Sequence, residues 1–520
     1  MAASAATILE YFPEEEGYMC GYCKDTSSNY SNGMWAHTMT VQDYQDLIDR
    51  GWRRSGMYVY KPVMNRTCCP QYTIRCRILE FKLTKSSKKV LKKMTRFLSK
   101  GEGANESGEP MDSINEDTGI DHPSATCLSE VDIDLEKPLK IVSLEEMPNS
   151  TEVAENPQID CAVDTRDQSQ KHSSTEANAS TGSFHCFKPG QGADPNKPPC
   201  RKAKDIRRER KLKKLLQKQQ QTEMSNVPQN QEADGDAPDT LLLPHRSKRP
   251  NQPKSLEEFI SASLSSDAVH HFEVKLVPVS FDDPGFTESF NQSATLYSKY
   301  QMAVHHDSDD ECSVSEYSRF LCQSPLQAEY PPDGPESGYG SFHQQYWLDG
   351  KIIAVGVIDI LPRCVSSVYL YYDPDYMFLS LGVYSAIREV AFTSELQKKV
   401  PDLRYYYMGF YIHSCPKMKY KGQYSPSELL CPETYEWIPI EKCRAKLDQS
   451  KYSRLNEDPD AEDENSLQNL SKVLILHKNT VMPYNVYRRR QKRVDNEAVI
   501  QQYANLVGQA CAERMVLYRN

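Results

Sequence analysis

The chain has 520 residues, a formal net charge of −10 and 38% hydrophobic residues. The length allows two or three domains, and the low apolar share predicts that part of the chain stays unpacked. No apolar run approaches the roughly 20 residues that cross a bilayer, so a soluble protein with no membrane contact is expected. The acidic excess argues against a chain coated by nucleic acid throughout, but local basic patches can still hold a polyanion.

Residues 1–12 (MAASAATILEYF) lack a basic start and a long apolar core, so they do not read as a secretory signal. Thiols are then expected to stay reduced, and grouped cysteines read as a metal, cluster or redox site. Cys20 and Cys23 stand in a Cys-Gly-Tyr-Cys run, and Cys68 and Cys69 precede Pro70. Four thiolates from two segments can wrap a zinc ion or an iron–sulfur cluster. The alternative is ordinary reduced core cysteines. Residues 57–61 (MYVYK) and 72–83 (YTIRCRILEFKL) alternate as strands, with Ile74, Cys76 and Ile78 on one face and Arg75, Arg77 and Leu79 on the other. A helix follows, capped by Ser87 and stopped by Gly101. Its apolar stripe is Val90, Leu91, Met94, Phe97 and Leu98, and Lys88, Lys89, Lys92, Lys93 and Arg96 cover the rest.

Residues 101–254 read as a disordered, charged linker, too poor in apolar side chains to offset the entropy of ordering. Within it, 201–214 (RKAKDIRRERKLKK) is a nuclear signal, an RNA-binding arm or a solvated charged helix.

A second folded region is expected over 255–520. Residues 272–279 read as a strand and 294–305 as a short helix. Residues 344–348 and 351–361 form a hairpin through Asp349-Gly350. Residues 366–372 and 405–412 are strands, 381–393 is a helix, 473–476 a short strand, and a last helix starts at Asn496. The order hairpin, strand, Ser-Leu-Gly turn, helix, strand is that of an acyltransferase-type α/β fold. The expected class is thus mixed α+β or α/β, with a small cysteine-site domain over 1–100, the linker, and an acyltransferase-like domain.

Several of these stretches together resemble one family. They are Cys20-Gly-Tyr-Cys23, Cys68-Cys-Pro-Gln-Tyr-Thr-Ile-Arg75, Tyr346-Trp-Leu-Asp-Gly350, Asp359-Ile-Leu-Pro362, Ser366-Ser-Val-Tyr369, Tyr372-Asp-Pro374, Ser380-Leu-Gly382, 417–420 and 424–430 (YSPSELL). In this order, over roughly 10–100 and 255–450, they resemble the arginyl-tRNA–protein transferases of eukaryotes. The resemblance implies transfer of arginine from arginyl-tRNA to the N-terminal α-amine of proteins beginning with Asp, Glu or oxidised Cys. The product feeds N-degron-dependent ubiquitin degradation. It further implies a second domain similar to GNAT acyltransferases, an iron–sulfur cluster or zinc at the N-terminal cysteines, and a cytoplasmic and nuclear enzyme. A monomer is expected.

Such a reaction sets three recognition tasks. The guanidinium of the transferred arginine wants a carboxylate, and Asp359 and Asp373 are the candidates, against strand-end and turn roles. The acceptor's acidic side chain wants fixed positive charge, from Arg75 or from Lys417, Lys419 and Lys421, against solvated faces. The tRNA backbone wants basic surface, from Lys88, Lys89, Lys92 and Lys93 and from Arg488, Arg489 and Arg490. Ser380 and Gly382 open a helix whose N-terminus can hold the tRNA end or the reacting ester. Tyr346 and Tyr369 offer hydroxyls or stacking faces, against core packing. The turn carries one glycine where a CoA-binding loop carries several, so no CoA is expected. A CoA-dependent acyltransferase and a non-enzymatic, cluster-bearing RNA-binding adaptor are the competing readings.

Overall fold

A computed structural model describes residues 6–13, 16–101, 140–141, 254–261, 268–491 and 497–519. The expected linker, with its 201–214 patch, lies almost wholly outside the described residues. The described residues belong to one compact unit of mixed α/β structure built on two mixed eight-stranded sheets.

The first sheet takes β1 (Ile8–Phe12), β2 (Ser31–Thr38), β3 (Arg53–Ser55), β4 (Tyr58–Pro62) and β6 (Lys140–Ile141) from the front of the chain. It is completed by β14 (Leu474–His477), β15 (Thr480–Pro483) and β16 (Val516–Tyr518) from the end, in the order β3-β4-β2-β1-β16-β14-β15-β6. The second sheet takes β5 (Tyr72–Arg77), β7 (Phe272–Pro278), β8 (Gly340–Leu348), β9 (Lys351–Leu361), β10 (Cys364–Tyr372), β11 (Tyr405–Tyr411), β12 (Ser427–Leu430) and β13 (Trp437–Pro439). Its order is β13-β12-β5-β11-β10-β9-β8-β7.

Each sheet therefore mixes strands from both ends of the chain. β5 lies between β11 and β12, pairing antiparallel to both. This differs from the expected division into a 1–100 domain and a 255–520 domain. The alternation in 72–77 is explained by the same fact: Ile74 and Cys76 are fully buried, while Arg75 and Arg77 are not. The strand ends at Arg77, where a tight turn over Ile78–Glu80 leaves Leu79 62% exposed, so it is shorter than the 72–83 expected.

Local chemistry accounts for the other elements. Asp349 and Gly350 both have positive φ (49° and 80°), the twist that a two-residue hairpin between β8 and β9 requires. Helix α1 spans Val41–Ile48. Helix α2 spans Lys85–Lys100 and buries Leu91, Met94, Phe97 and Leu98. Its N-cap is Thr84, whose hydroxyl accepts from the Ser87 N–H, so the cap falls three residues before the expected one. Gly101 closes it in the left-handed region, as expected. Helix α3 (Pro284–Tyr300) starts ten residues before the expected 294, because Asp283 caps it and Pro284 fits its first turn. Helix α4 is Leu381–Lys399, α5 is Tyr484–Arg490 and α6 is Glu497–Val507.

The sheets are tied by ion pairs that span hundreds of residues. Arg54 on β3 reaches Asp359 on β9 through two parallel bonds, Nε to Oδ2 at 2.8 Å and Nη2 to Oδ1 at 2.6 Å. Ser341 Oγ donates to the same carboxylate at 2.7 Å. Asp359 is 0% exposed and Arg54 4%. Arg363, just after β9, reaches back to Asp49 at 2.9 Å.

Asp359→Asn leaves Arg54 buried and unmatched, and should lower stability by about 3–5 kcal/mol, whereas Arg54→Met combined with Asp359→Leu should restore most of it. Urea-denaturation midpoints of the three proteins test this; equal midpoints for wild type and Asp359→Asn would refute it.

Candidate active site

The four N-terminal cysteines come together. Their Sγ atoms lie within 4.8 Å of one another, with Cys23 and Cys68 at 3.4 Å. Cys20 and Cys69 are buried, Cys68 half-buried and Cys23 exposed. Two features of the backbone build this geometry. The Cys20–Cys23 turn closes by Lys24 N–H on the Cys20 carbonyl at 2.8 Å, with Lys24 at positive φ. The second segment is held by Cys68 N–H on the Ser28 carbonyl (2.9 Å) and by Asn29 Oδ1, which accepts from Thr67 (2.6 Å) and Gln71 (3.4 Å). The Asp25 backbone N–H holds the Cys23 thiol below its ordinary range, whereas burial pushes Cys68 up to about 11 and Cys69 up as well. A tetrahedral ion with Zn–S bonds of about 2.3 Å sets its sulfurs about 3.8 Å apart, so the four thiols can hold a metal ion with small adjustments. Phe410, Ile412 and Met418 pack on the cysteines.

The next residues along β11 reach an open cleft. β10 and β11 are parallel neighbours only over Cys364–Ser366 and Tyr405–Tyr407. Each strand is then irregular, β10 between Ser367 and Tyr369 and β11 between Tyr407 and Phe410. Bulges of this kind bend strands and end pairing. The cleft opens where the two part, lined by Ser367 to Leu370 on one side and Met408 and Gly409 on the other. Gly409 has φ +66°, a conformation that suits glycine. The N-terminal turn of α4 reaches the cleft at Gly382.

Besides tyrosines, one carboxylic acid and one amine line it, and neither has its ordinary proton affinity. Glu389 on α4 is 1% exposed and accepts from Tyr406 Oη at 2.7 Å. Burial raises it to about 7, against weaker lowering by Tyr406 and Ser367. Gly356 makes room for it, since a Cβ there would stand 2.9 Å from Glu389 Oε1. Lys421 donates to the Phe410 carbonyl at 3.1 Å, and burial with the neighbouring Arg53 pulls it down to about 7. Shifts of this size in a cleft mark candidate acid–base groups. Glu389 gave no sequence signal, because one acid in an amphipathic helix looks like any other.

The expected site residues divide. Gly382 and Tyr369 line the cleft, and Lys421 does so as well. Tyr369 Oη is engaged by Gln301 at 2.8 Å. Ser380 sits just before α4 at φ +56° and makes no side-chain cap. Tyr346 is wholly buried and bonded to Gln344 at 2.6 Å, so it is a core residue. Asp359 has both oxygens committed to Arg54 and cannot take a substrate guanidinium. Asp373 caps the turn after β10 and pairs with Lys299 at 2.6 Å. Arg75 stands in a separate hollow with Asp49, Arg363 and Tyr407. Its Nε bonds Glu428 at 2.8 Å and its plane lies between the Tyr405 and Trp437 rings. Lys417 and Lys419 are exposed, on the short helix Pro416–Lys419, and do not line the cleft. Of the basic helix, Lys89 and Lys92 are exposed, Lys88 is half-buried, and Lys93 lies over the Phe378 ring at 5.8 Å. Arg488, Arg489 and Arg490 are exposed in the last turn of α5.

Among known proteins, the family model for the arginine-tRNA-protein transferase N terminus matches residues 18–89, and that for the C terminus matches 292–431. The arginyl-tRNA–protein transferase 1 of Drosophila melanogaster is 42% identical, covering 98% of this chain and 99% of its own. That of Arabidopsis thaliana is 34% identical over 84% and 74%. An aspartate/glutamate leucyltransferase of Pseudomonas savastanoi is 34% identical over 32% of this chain and 60% of its own. Among solved structures, the C-terminal domain of a putative lysylphosphatidylglycerol synthetase from Agrobacterium fabrum aligns over 27% of the chain at TM-score 0.17, too slight a likeness to define the fold. The two family matches contain both the thiol cluster and the cleft, and they define an aminoacyltransferase. The chain belongs to the arginyl-tRNA–protein transferase family.

Glu389 binds a proton in the folded protein up to about pH 7 and gives it up near 4.5 when unfolded. The folded state holds the extra proton between those values, so stability falls as pH rises through that window. Glu389→Gln removes the effect. The wild-type thermal midpoint should drop relative to that of Glu389→Gln between pH 5 and pH 8; parallel midpoints would refute the buried acid.

Proposed function

We propose that this chain moves arginine from arginyl-tRNA to the N-terminal α-amine of proteins whose first residue is Asp, Glu or oxidised Cys, marking them for N-degron-dependent ubiquitin degradation. It would act as a monomer in cytoplasm and nucleus. Family membership supports the transfer itself, and the leucyltransferase relative, whose name specifies aspartate and glutamate, supports the acidic acceptor. The observation that carries the reading is the parting of β10 and β11 beside the start of α4. That arrangement is the one expected of a GNAT-like core, in which two strands splay to admit an acyl donor.

The chemistry needs little from the protein. An aminoacyl ester is already activated, and an α-amine titrating near 7.7–8.0 is partly neutral at cell pH. The enzyme must align ester and amine, stabilise the oxyanion as the amide C–N bond forms, and move the proton the amine sheds to the ribose oxygen released when the ester C–O bond breaks. Glu389, poised near neutrality, is the group we assign to the proton. Gly382, in the first turn of α4, lines the cleft, and a helix N-terminus suits developing negative charge. Lys421 adds positive charge on the opposite wall. The turn Ser380-Leu381-Gly382 has a single glycine, which disfavours CoA. The exposed lysines of α2 and arginines of α5 suit the tRNA backbone.

For the cysteines, the choice lies between zinc and an iron–sulfur cluster, and sulfurs within 4.8 Å favour a single tetrahedral ion. A zinc ion there braces the two loops that pack on Phe410 and Met418, whereas a cluster adds a redox-sensitive group.

Two measurements test this reading. Labelled arginine from charged tRNA should enter a peptide beginning with Asp and not one beginning with acetylated Asp; no incorporation from tRNA, or acetyl transfer from acetyl-CoA instead, would overturn it. Anaerobically purified protein should carry about one zinc per chain and no visible absorption. A brown protein with iron and sulfide would assign the cluster instead.

A further inference from the structure

A second, small cleft lies between the β4 end, β5 and the turn after β12. Its polar lining is buried: Arg50 is 5% exposed, Lys61 8% and Thr73 2%. Arg50 and Lys61 both face the ring of Tyr435, at 4.0 and 4.4 Å from its centre. Their charges are treated differently. Arg50 is matched by Asp463 through two bonds of 2.9 and 2.6 Å. Lys61 donates to the Tyr435 hydroxyl at 2.7 Å, and among the described residues no carboxylate lies within ion-pair distance of it. Burial and the neighbouring Arg50 lower its proton affinity, and Tyr435 and the more distant Asp463 offset this only in part, so the ammonium lacks an ion-pair partner of its own. A second group is also unsatisfied, since the Thr73 hydroxyl is buried in the same cleft with no hydrogen-bond partner among the described residues. The lining also holds Gln71, whose amide donates to Asn29 Oδ1, the Tyr72 ring, and the apolar Leu430, Pro62 and Met64.

An ammonium without an ion-pair partner, a spare hydroxyl and neighbouring apolar side chains match a singly charged, two-oxygen group on a short carbon stem. We propose that this cleft is a carboxylate-binding site, and that its occupant is the side chain of the acceptor protein's first residue. The second half rests on the acceptor specificity proposed above. The position of the cleft supports it. Thr73 on β5 pairs with Phe410 on β11, next to Gly409 in the transfer cleft. Arg53, two residues after Gly51 of this cleft, donates to the Gly409 carbonyl at 3.4 Å. The two clefts thus lie against neighbouring strands, this one against β5 and the transfer cleft against β11. Arg75, on the same strand, has its Nε committed to Glu428 and does not line this cleft.

The test uses full-length wild type, Lys61→Met and Thr73→Val, with peptides that differ only in beginning with Asp, Asn or Ala. Lys61→Met should raise KM for the Asp peptide about tenfold or more and shrink the Asp-over-Asn preference, with the KM for arginyl-tRNA unchanged; Thr73→Val should do so less. Circular dichroism checks folding, and if Lys61→Met does not fold, Thr73→Val carries the comparison. A wild-type preference retained in the folded variants removes the acceptor side chain from this cleft. Succinate then decides the rest: protection of wild type against thermal unfolding that Lys61→Met abolishes assigns the cleft to a free dicarboxylic acid, and no protection overturns the carboxylate site. A wild type that uses Asp and Ala peptides equally would count against the acceptor specificity alone, and the succinate measurement would still judge the cleft.

Discussion

The fork of Arg54 on Asp359 is the contact on which the rest of the architecture depends. It joins a strand near residue 54 to one near residue 359, and it does so where neither end touches water. Burying two full charges is expensive, and only the parallel bonds and the Ser341 hydroxyl make it tolerable. Apolar side chains of similar size would fill the space as well. What they would not do is fix one register between the sheets, because a planar guanidinium meets a carboxylate squarely in few ways. Since β9 neighbours β10, the register set at Asp359 is passed to the strand that forms one wall of the cleft.

From that fixed frame the cleft follows by local irregularity. Two adjacent strands each carry a bulge just beyond their last shared rungs, and they separate. Helix α4 brings its first turn to the cleft at Gly382 and, two turns further on, Glu389. The thiol cluster touches the same strand through Phe410. Cluster and cleft are thus neighbours along β11, so disorder in the cysteine loops has a short path to the cleft walls.

Some of this was legible in the chain and some was not, for physical reasons. The Asp349-Gly350 turn, the α2 stripe with Gly101 behind it, and the paired cysteines are local patterns, and local patterns survive translation into structure. The start of α3 was missed because Asp-Pro-Gly reads equally as a turn and as a helix opening. Asp359 drew attention as a carboxylate wanting a guanidinium, which was sound chemistry with the wrong partner: the guanidinium belongs to Arg54, 305 residues away. Nothing in the spacing of either residue encodes that pairing. Lys61 is hidden for the same reason, since an isolated lysine in YVYKP gives no hint that it is buried beside Arg50 and Tyr435.

The insertion of β5 between β11 and β12 has a consequence for how the molecule is made. A ribosome delivers residues 72–77 long before residues 405–411 and 427–430 exist. Until those later strands emerge, the early strand has both hydrogen-bonding edges open, a condition that invites association with other chains. Closure must await the most distant partners, so assembly is slow by topology alone. A nascent copy therefore has a long vulnerable interval, in which holdase chaperones have an exposed target.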